Sequence, residues 1–599
     1  MAAIGAQERV VDQAAPQHQA APRGPLGPRA LYAATLAAFS LLYTLAFFQG
    51  LEAHGAYPGN SFKAIHSESF PGDQFITGHQ PTMVSVVYVA ARAVGDLWLD
   101  DRFQFVVHLG LVWLALLAVD RLALLFGLRG RLERLAIVAL LIVSHHFKPN
   151  VFSQLVPSSG SPTAYIHPLG LWLAVFVLQA NRTVPALALS LLMGLVAVKN
   201  AWYPALLAGC FALRDRWRVP WRRIAVWTAL GLAAVFGVYA VINLGSRDGP
   251  ILFDLVGWYE DQEANPFHET GIGNYFYAAL LVGAMLVPYV SAQLKARCRA
   301  FFIIALITLL AGGVYYTYAP DLLKIPAFQA LAANRTAWWP QELAYVILSC
   351  YAVQRFDRGT TRTRALGTAL LAGLYLLPVF EPGTLRIDDF FLKRTALLLA
   401  VTGALGLAWF LARAARRRLP GPLSARTALL LLPVVLTTAV YLAHCARTQR
   451  PHLQFLLAHG VMGNASSAKW VGVDAYVRTR TPSDASVLAL VIGEDSGLHV
   501  DWTLRARTGR TMPVGHRTVS YMDSAKATWY FEQLQLWRQL GESWDRHDWT
   551  GVARGLETMG WPDYVIVPAT RADWLQGVAG QPYAPEASIG TFAILRRRS

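Results

Sequence analysis

The chain has 599 residues, of which 54% are hydrophobic and only 15% are charged, with a mean hydropathy of +0.35. A soluble domain usually carries about 25% charged residues, and here the apolar residues come in long runs. A soluble enzyme, a fibrous protein and a disordered chain are therefore excluded. The net charge of +16 does not call for nucleic acid, because basic residues gather in the cytoplasmic loops of membrane proteins.

Residues 1–28 are rich in Ala, Gln, Pro and Gly and read as a disordered cytoplasmic tail. The first apolar run begins near Leu31, is long enough to span and lacks a cleavage site, so it is not a signal peptide. A crossing helix needs about 20 mostly apolar residues. On that measure spans are expected near 29–50, 102–122, 132–146, 166–180, 184–198, 200–213, 223–245, 275–292, 299–319, 341–356, 363–380, 394–414 and 425–446. The expected fold is a polytopic α-helical membrane protein of about 11–13 transmembrane helices, with a C-terminal extracytoplasmic α/β domain.

Loop charge sets the orientation. Arg129, Arg131 and Arg134 fall between the second and third spans, Lys295, Arg297 and Arg299 after the eighth, and Arg355, Arg358, Arg362 and Arg364 after the tenth. The intervening loops are acidic, with Glu52, Glu68 and Asp73 in the first and Asp254, Glu260 and Asp261 in another. This alternation puts the N-terminus in the cytoplasm and the acidic loops outside. An odd number of spans places the C-terminal domain outside as well, and the Ala-, Arg- and Leu-rich composition suggests the cytoplasmic membrane of a bacterium.

Residues 29–446 thus form the membrane domain, with a long outer loop at 51–101, and 447–599 form a smaller α/β domain. Helices are expected there at 467–479, 525–540 and 549–559, and strands at 486–492, 564–567 and 591–595. The four cysteines, Cys210, Cys298, Cys350 and Cys445, lie in or beside apolar spans without CxxC spacing. A disulfide framework and a zinc site are disfavoured.

The first outer loop carries the most chemistry. It is too long for a plain connector, and 81–94 reads as a helix lying along the membrane surface. Asp73 follows the Pro71–Gly72 turn, and Glu68 lies just before it. A carboxylate at this boundary is either solvated, or acts as a general base, or binds a divalent cation. Asp100 and Asp101 read as the N-cap of the second span.

Three cations belong to the same outer side: Lys148 in HHFKPN, Lys199 in VAVKNAWYP and Arg335 in AANRTAWWP, with His167 and Arg386 nearby in topology. Each either snorkels to the interface or neutralises a phosphate. Asp73 and Lys199 are expected to line one outward-facing cavity. In the C-terminal domain Arg505, Arg507, Arg510, His516 and Arg517 lie close in sequence. No nucleophile elbow, P-loop, GxGxxG or HExxH occurs, so hydrolase, NTPase and dinucleotide-dependent dehydrogenase readings have no support.

The layout resembles the GT-C superfamily of polytopic glycosyltransferases, which use polyprenyl-phosphate-linked sugars. The similar features are the long acidic first outer loop with its surface helix, about a dozen spans, and the C-terminal outer α/β domain. SFPGDQF looks like the first-loop acidic region of these proteins. WVGVDAYVRTRTPSDASVLAL and DYVIV look like a helix and strands of the outer domain. The first loop carries no DxD.

The resemblance implies an inverting hexosyl- or pentosyltransferase. Its partners are the lipid bilayer, a polyprenyl-phosphate sugar donor and a glycan, lipid or protein acceptor, with no nucleic acid. It implies Asp73 or Glu68 as the base and Lys199, Arg335 or Lys148 at the leaving phosphate. No cofactor is required by the sequence, and a divalent cation, Mg or Mn, is compatible with the acidic loop. The competing expectations are a non-catalytic envelope polysaccharide assembly protein and a transporter or flippase for a lipid-linked substrate.

Overall fold

The computed structural model of the chain describes residues 28–50, 65, 85–146, 156, 162–179, 182–196, 208–214, 218–220, 222–223, 226, 271–287, 294–303, 305–306, 338–358, 361–376, 425–460, 462, 465–490, 508–513, 532, 535–536, 539–572 and 583–598. Helix α1 (Pro28–Phe47) is followed by the short α2 (Val86–Val94), which a 3-10 turn, Gly95–Leu99, joins to α3 (Asp101–Leu125). Then come α4 (Arg131–His146), α5 (Thr163–Leu178), α6 (Thr183–Val196), α7 (Gly271–Leu286), α8 (Trp338–Arg358), α9 (Thr361–Leu376) and α10 (Ala425–Thr448). Of the helix expected at 81–94, residues 86–94 are helical, and 81–84 lie outside the described residues. The cap expected at Asp100 is also present, its carboxylate accepting from the Arg102 amide at 2.7 Å.

Three of these helical segments are long and apolar enough to cross a membrane: Arg29–Phe47, Asp101–Leu125 and Leu431–Thr448. Ala164–Leu178 and Thr183–Val196 are apolar but shorter. Most of the expected span at 223–245, and all of that at 394–414, lie outside the described residues.

Cross-helix bonds give each helix a direction. Near the start of α1, Tyr32 donates to Asp120 late in α3, and Asp120 pairs with Arg134 at the start of α4 at 2.9 Å. We call this the tail end of the bundle. At the other end, Phe48 after α1 packs on Leu456 and Met462 of the C-terminal region, which makes this the domain end. Gln354, late in α8, donates to the Phe126 carbonyl at the tail end, so α8 starts at the domain end. The Arg129–Arg134 turn and the Arg355–Arg364 turn, both basic, accordingly lie at the tail end.

The C-terminal region opens with α11 (Arg450–His459), which packs against α3. After α12 (Ala465–Arg480) come β1 (Val487–Ala489), α13 (Trp549–Thr558), β2 (Tyr564–Pro568), β3 (Tyr583–Ile589) and β4 (Phe592–Arg597). The sheet order is β1-β2-β4-β3, with β1 and β2 parallel and the other pairs antiparallel. Alternate residues supply its two faces, as the two-residue period of a strand requires. Val487, Ala489, Tyr564, Ile566, Phe592 and Ile594 pack on Trp470, Val473 and Val477 of α12. Leu488, Val565, Val567, Ala593 and Leu595 pack on Val552 and Leu556 of α13, with Leu540 and Trp544.

The strand β3 is absent from the sequence reading. Its segment, YAPEASI, contains a proline and a single buried residue, Tyr583. Proline is confined to edge strands or bulges, and β3 is both an edge strand and irregular at Pro585/Ala587.

The two regions differ on their surfaces. Every exposed large apolar side chain among the described residues lies between Leu31 and Leu457, including Val106, Leu191 and Leu436. Among the described residues from 465 onward there are none.

Candidate functional site at the domain end of the bundle

Polar side chains buried inside an apolar bundle are costly and mark either tight fastening or function. At the tail end the reason is fastening. Asp120 receives Tyr32 and Arg134 together, and the Arg134 guanidinium lies 4.8 Å from the Tyr32 ring centre. One carboxylate thereby ties α1, α3 and α4.

The domain end is more elaborate. The buried His108 of α3 has its Nε2 3.0 Å from the Val156 carbonyl and its Nδ1 3.3 Å from the Thr44 hydroxyl. A carbonyl only accepts, so Nε2 carries the hydrogen. The imidazole pins Val156, between α4 and α5, to α1 and α3.

Next to it is a three-way joint. The Asp101 carboxylate, buried, accepts the Met462 amide at 2.6 Å, and the Asp101 amide donates to the Gly460 carbonyl at 3.0 Å. Arg102 donates to the carbonyls of Leu456 (3.3 Å) and Leu457 (3.0 Å), capping the C-terminus of α11 with positive charge. Gly50 and Gly460 both take φ +75, and a Cβ on Gly50 would lie 2.6 Å from Met462 Cβ. The start of the first loop, the start of α3 and the tether to the C-terminal sheet therefore meet at one point. Sequence reasoning read Asp101 only as part of a helix cap; in the structure Asp100 caps α3 and Asp101 holds the tether.

Two further contacts complete this end. Ser85 caps α2 by accepting from the Val87 amide at 3.2 Å and donates to the Val196 carbonyl, at the end of α6, at 2.5 Å. Between α5 and α8, His167 Nδ1 pairs with Glu342 Oε1, and both side chains are about fully buried (1% and 0% exposed). His167 is the fifth residue of α5 and Glu342 the fifth of α8. Both helices start at the domain end, so the pair lies about 6 Å below the rim at 1.5 Å per residue. Glu342 was missed in the sequence, although it is the only acidic residue within the first dozen positions of the span expected at 341–356.

The residues expected to carry the chemistry, Asp73, Glu68, Lys199, Arg335 and Lys148, all lie outside the described residues, as does Arg386. Their described neighbours in the chain are at the domain end. Asp73 and Glu68 fall between Gly50 and Ser85, Lys148 two residues after α4, Lys199 three after α6, and Arg335 three before α8. The cavity expected between Asp73 and Lys199 likewise lies outside the described residues.

In the C-terminal region Arg505, Arg507, His516 and Arg517 are also outside the described residues. Arg510 is buried and donates to Thr481 Oγ1 (2.9 Å) and to the carbonyls of Thr481 (2.7 Å), Arg478 (2.8 Å) and Thr508 (3.1 Å). It stitches the end of α12 to the segment beside β1, a structural role. Burial pushes the Asp474 carboxyl up to about 8, with Arg478 opposing. Among the described residues no group of three or more His, Cys, Asp or Glu side chains could hold a metal ion.

No known protein family matches the chain, and no curated protein matches it.

Proposed function

We propose that the chain is a polytopic membrane protein that transfers a sugar from a polyprenyl-phosphate donor to an envelope glycan, lipid or protein acceptor. The observation that carries this reading is the confinement, among the described residues, of exposed large apolar side chains to residues 31–457, as a lipid-facing bundle with a water-facing domain would have. The basic turns at the tail end favour a cytoplasmic tail end and an outward domain end. On that orientation the acidic first loop and the C-terminal domain share the outer face of the cytoplasmic membrane.

In the proposed reaction Asp73 or Glu68 takes the proton of the acceptor hydroxyl as its oxygen attacks the anomeric carbon. The bond from that carbon to the phosphate oxygen breaks, and the electron pair leaves with the polyprenyl phosphate. Lys199, Arg335 or Lys148 neutralises the leaving phosphate; charge stabilisation of this kind usually contributes more to catalysis than any other single effect. Direct displacement inverts the anomeric centre.

The test is turnover of a panel of polyprenyl-phosphate sugars by the purified protein in lipid, alongside Asp73→Asn. Release of polyprenyl phosphate that the substitution abolishes supports the transferase and its base. Release that survives moves the base to Glu68. A transporter of lipid-linked substrates is the second reading, favoured by the ionisable His167–Glu342 pair inside the bundle. It predicts donor movement across vesicles without release.

A further inference from the structure

The His167–Glu342 pair sits beside a defect in one of the two helices it joins. Pro168 follows His167 inside α5. Proline has no amide hydrogen, so the rung from residue 168 to the Ala164 carbonyl is missing, and the ring crowds that carbonyl. The outer turn of α5, 163–167, is thus joined to the helix below by fewer backbone bonds than an ordinary turn. In α8, by contrast, Pro340 is the third residue, where the amide has no helical partner in any case. The first turn of α8 is intact, and Glu342 is anchored to it.

A buried carboxylate–imidazole pair is a poor device for stability alone. An apolar pair of similar volume is often as stable or more so. Such pairs do specify register and direction. Here the direction is from an intact turn to a weakened one.

We propose that His167–Glu342 is a positioning pair, which holds the outer turn of α5 in one register against α8 in place of the rung that Pro168 removes. The rim of the bundle at the domain end then keeps a fixed shape where α5 and α8 begin. Its role in donor binding rests on the transferase reading above; its role in holding the turn does not.

The experiment uses the full chain in lipid nanodiscs and two readouts. One is amide hydrogen exchange of 163–167 compared with 169–178. The other is KM and kcat for a polyprenyl-phosphate sugar. The variants are His167→Leu/Glu342→Leu, which removes the pair, and the exchanged pair His167→Glu/Glu342→His. The apolar variant is expected to quicken exchange at least tenfold in 163–167 and leave 169–178 unchanged. It is expected to raise KM about tenfold while kcat stays within about twofold, and the exchanged pair restores both.

Unchanged exchange in 163–167, or an equal rise along all of α5, overturns the proposal. Quickened exchange confined to 163–167 with no turnover by the wild-type protein upholds the positioning pair and sinks the transferase reading instead. If the apolar variant does not fold, Glu342→Ala and Glu342→Gln decide, since only the second keeps an acceptor oxygen for Nδ1–H. Protection at 163–167 lost in Glu342→Ala and kept in Glu342→Gln supports the proposal, and equal protection in both overturns it.

Discussion

The helical bundle and the C-terminal α/β region solve the burial problem in opposite senses. The bundle exposes Val106, Leu191 and Val440 on its surface and encloses Asp120 with Arg134, and His167 with Glu342. The C-terminal region keeps its aromatic and branched residues on the two faces of the sheet, under α12 and α13. Its exposed ion pairs, such as Arg546–Glu542, are at the surface. Water explains the second arrangement, since apolar area removed from water stabilises by about 25 cal/mol per Å². The first is the arrangement that an apolar solvent around the bundle favours, where packing and polar pairing hold the helices together.

The sharpest way to break this comparison is to open the sheet domain. Trp544 is fully buried, and Trp544→Ala is expected to cost about 3–5 kcal/mol. The loss should appear as melting of the C-terminal region at lower denaturant, with the bundle's helical signal retained. Unfolding of both together would show that they form one cooperative unit.

The joint comes next. Gly50→Ala puts a Cβ 2.6 Å from Met462 Cβ and 2.7 Å from the Asp101 carboxylate, at φ +75. Strain and overpacking together are expected to cost about 3 kcal/mol. Gly590→Ala, in the two-residue turn between β3 and β4, meets the same conformational penalty at φ +59 with nothing within 4 Å. It is expected to cost about 1 kcal/mol. Equal losses of thermal stability in the two variants would show that the close contact at the joint gives way freely.

The surface contrast is tested by charge. Leu191 is 67% exposed near the middle of α6. Leu191→Lys is expected to cost about 2–3 kcal/mol if the side chain faces lipid, read as lost membrane insertion. Glu557→Lys, on the exposed side of α13, should change stability by less than about 0.5 kcal/mol. Normal insertion of the Leu191 variant would count against a lipid-facing α6.

Asp474 gives the most specific effect. Its carboxyl is raised from 3.8 to about 8 in the folded chain, chiefly by burial. The unfolded chain therefore releases the proton first. The stabilising contribution is complete below about pH 3.8 and is lost as pH rises through about 8. Stability of the C-terminal region should fall as pH rises from about 4 to about 8, and Asp474→Asn should flatten that slope. An unchanged slope would show that Asp474 ionises freely in the fold.

Much of this fold was legible in the chain. Long apolar runs located α1, α3 and α10, because a membrane-length helix needs only composition and length. Short continuous apolar runs located β2 and β4, and the Asp100 cap was visible as an acid at a helix start. The edge strand β3 was not, because the proline and the irregularity at Pro585/Ala587 break the period-2 signal. Glu342 was overlooked because an acid inside an apolar span has meaning only beside its partner, and His167 is 175 residues away in the chain. The candidate residues Asp73, Glu68, Lys199, Arg335 and Lys148 lie outside the described residues, so of the candidate site the structure places only the flanking helix ends.

The sequence by itself located the three described helices of membrane length, Arg29–Phe47, Asp101–Leu125 and Leu431–Thr448, the point where the composition turns to an α/β pattern, and the turns on which the basic residues fall. These depend on local composition and period. The tertiary structure decided which ends meet: that Gly50, Asp101 and Met462 form one joint, that Ser85 is tied to Val196, and that His167 faces Glu342. These contacts join residues far apart in the chain, and their energy comes from directional bonds and close packing that no local pattern encodes.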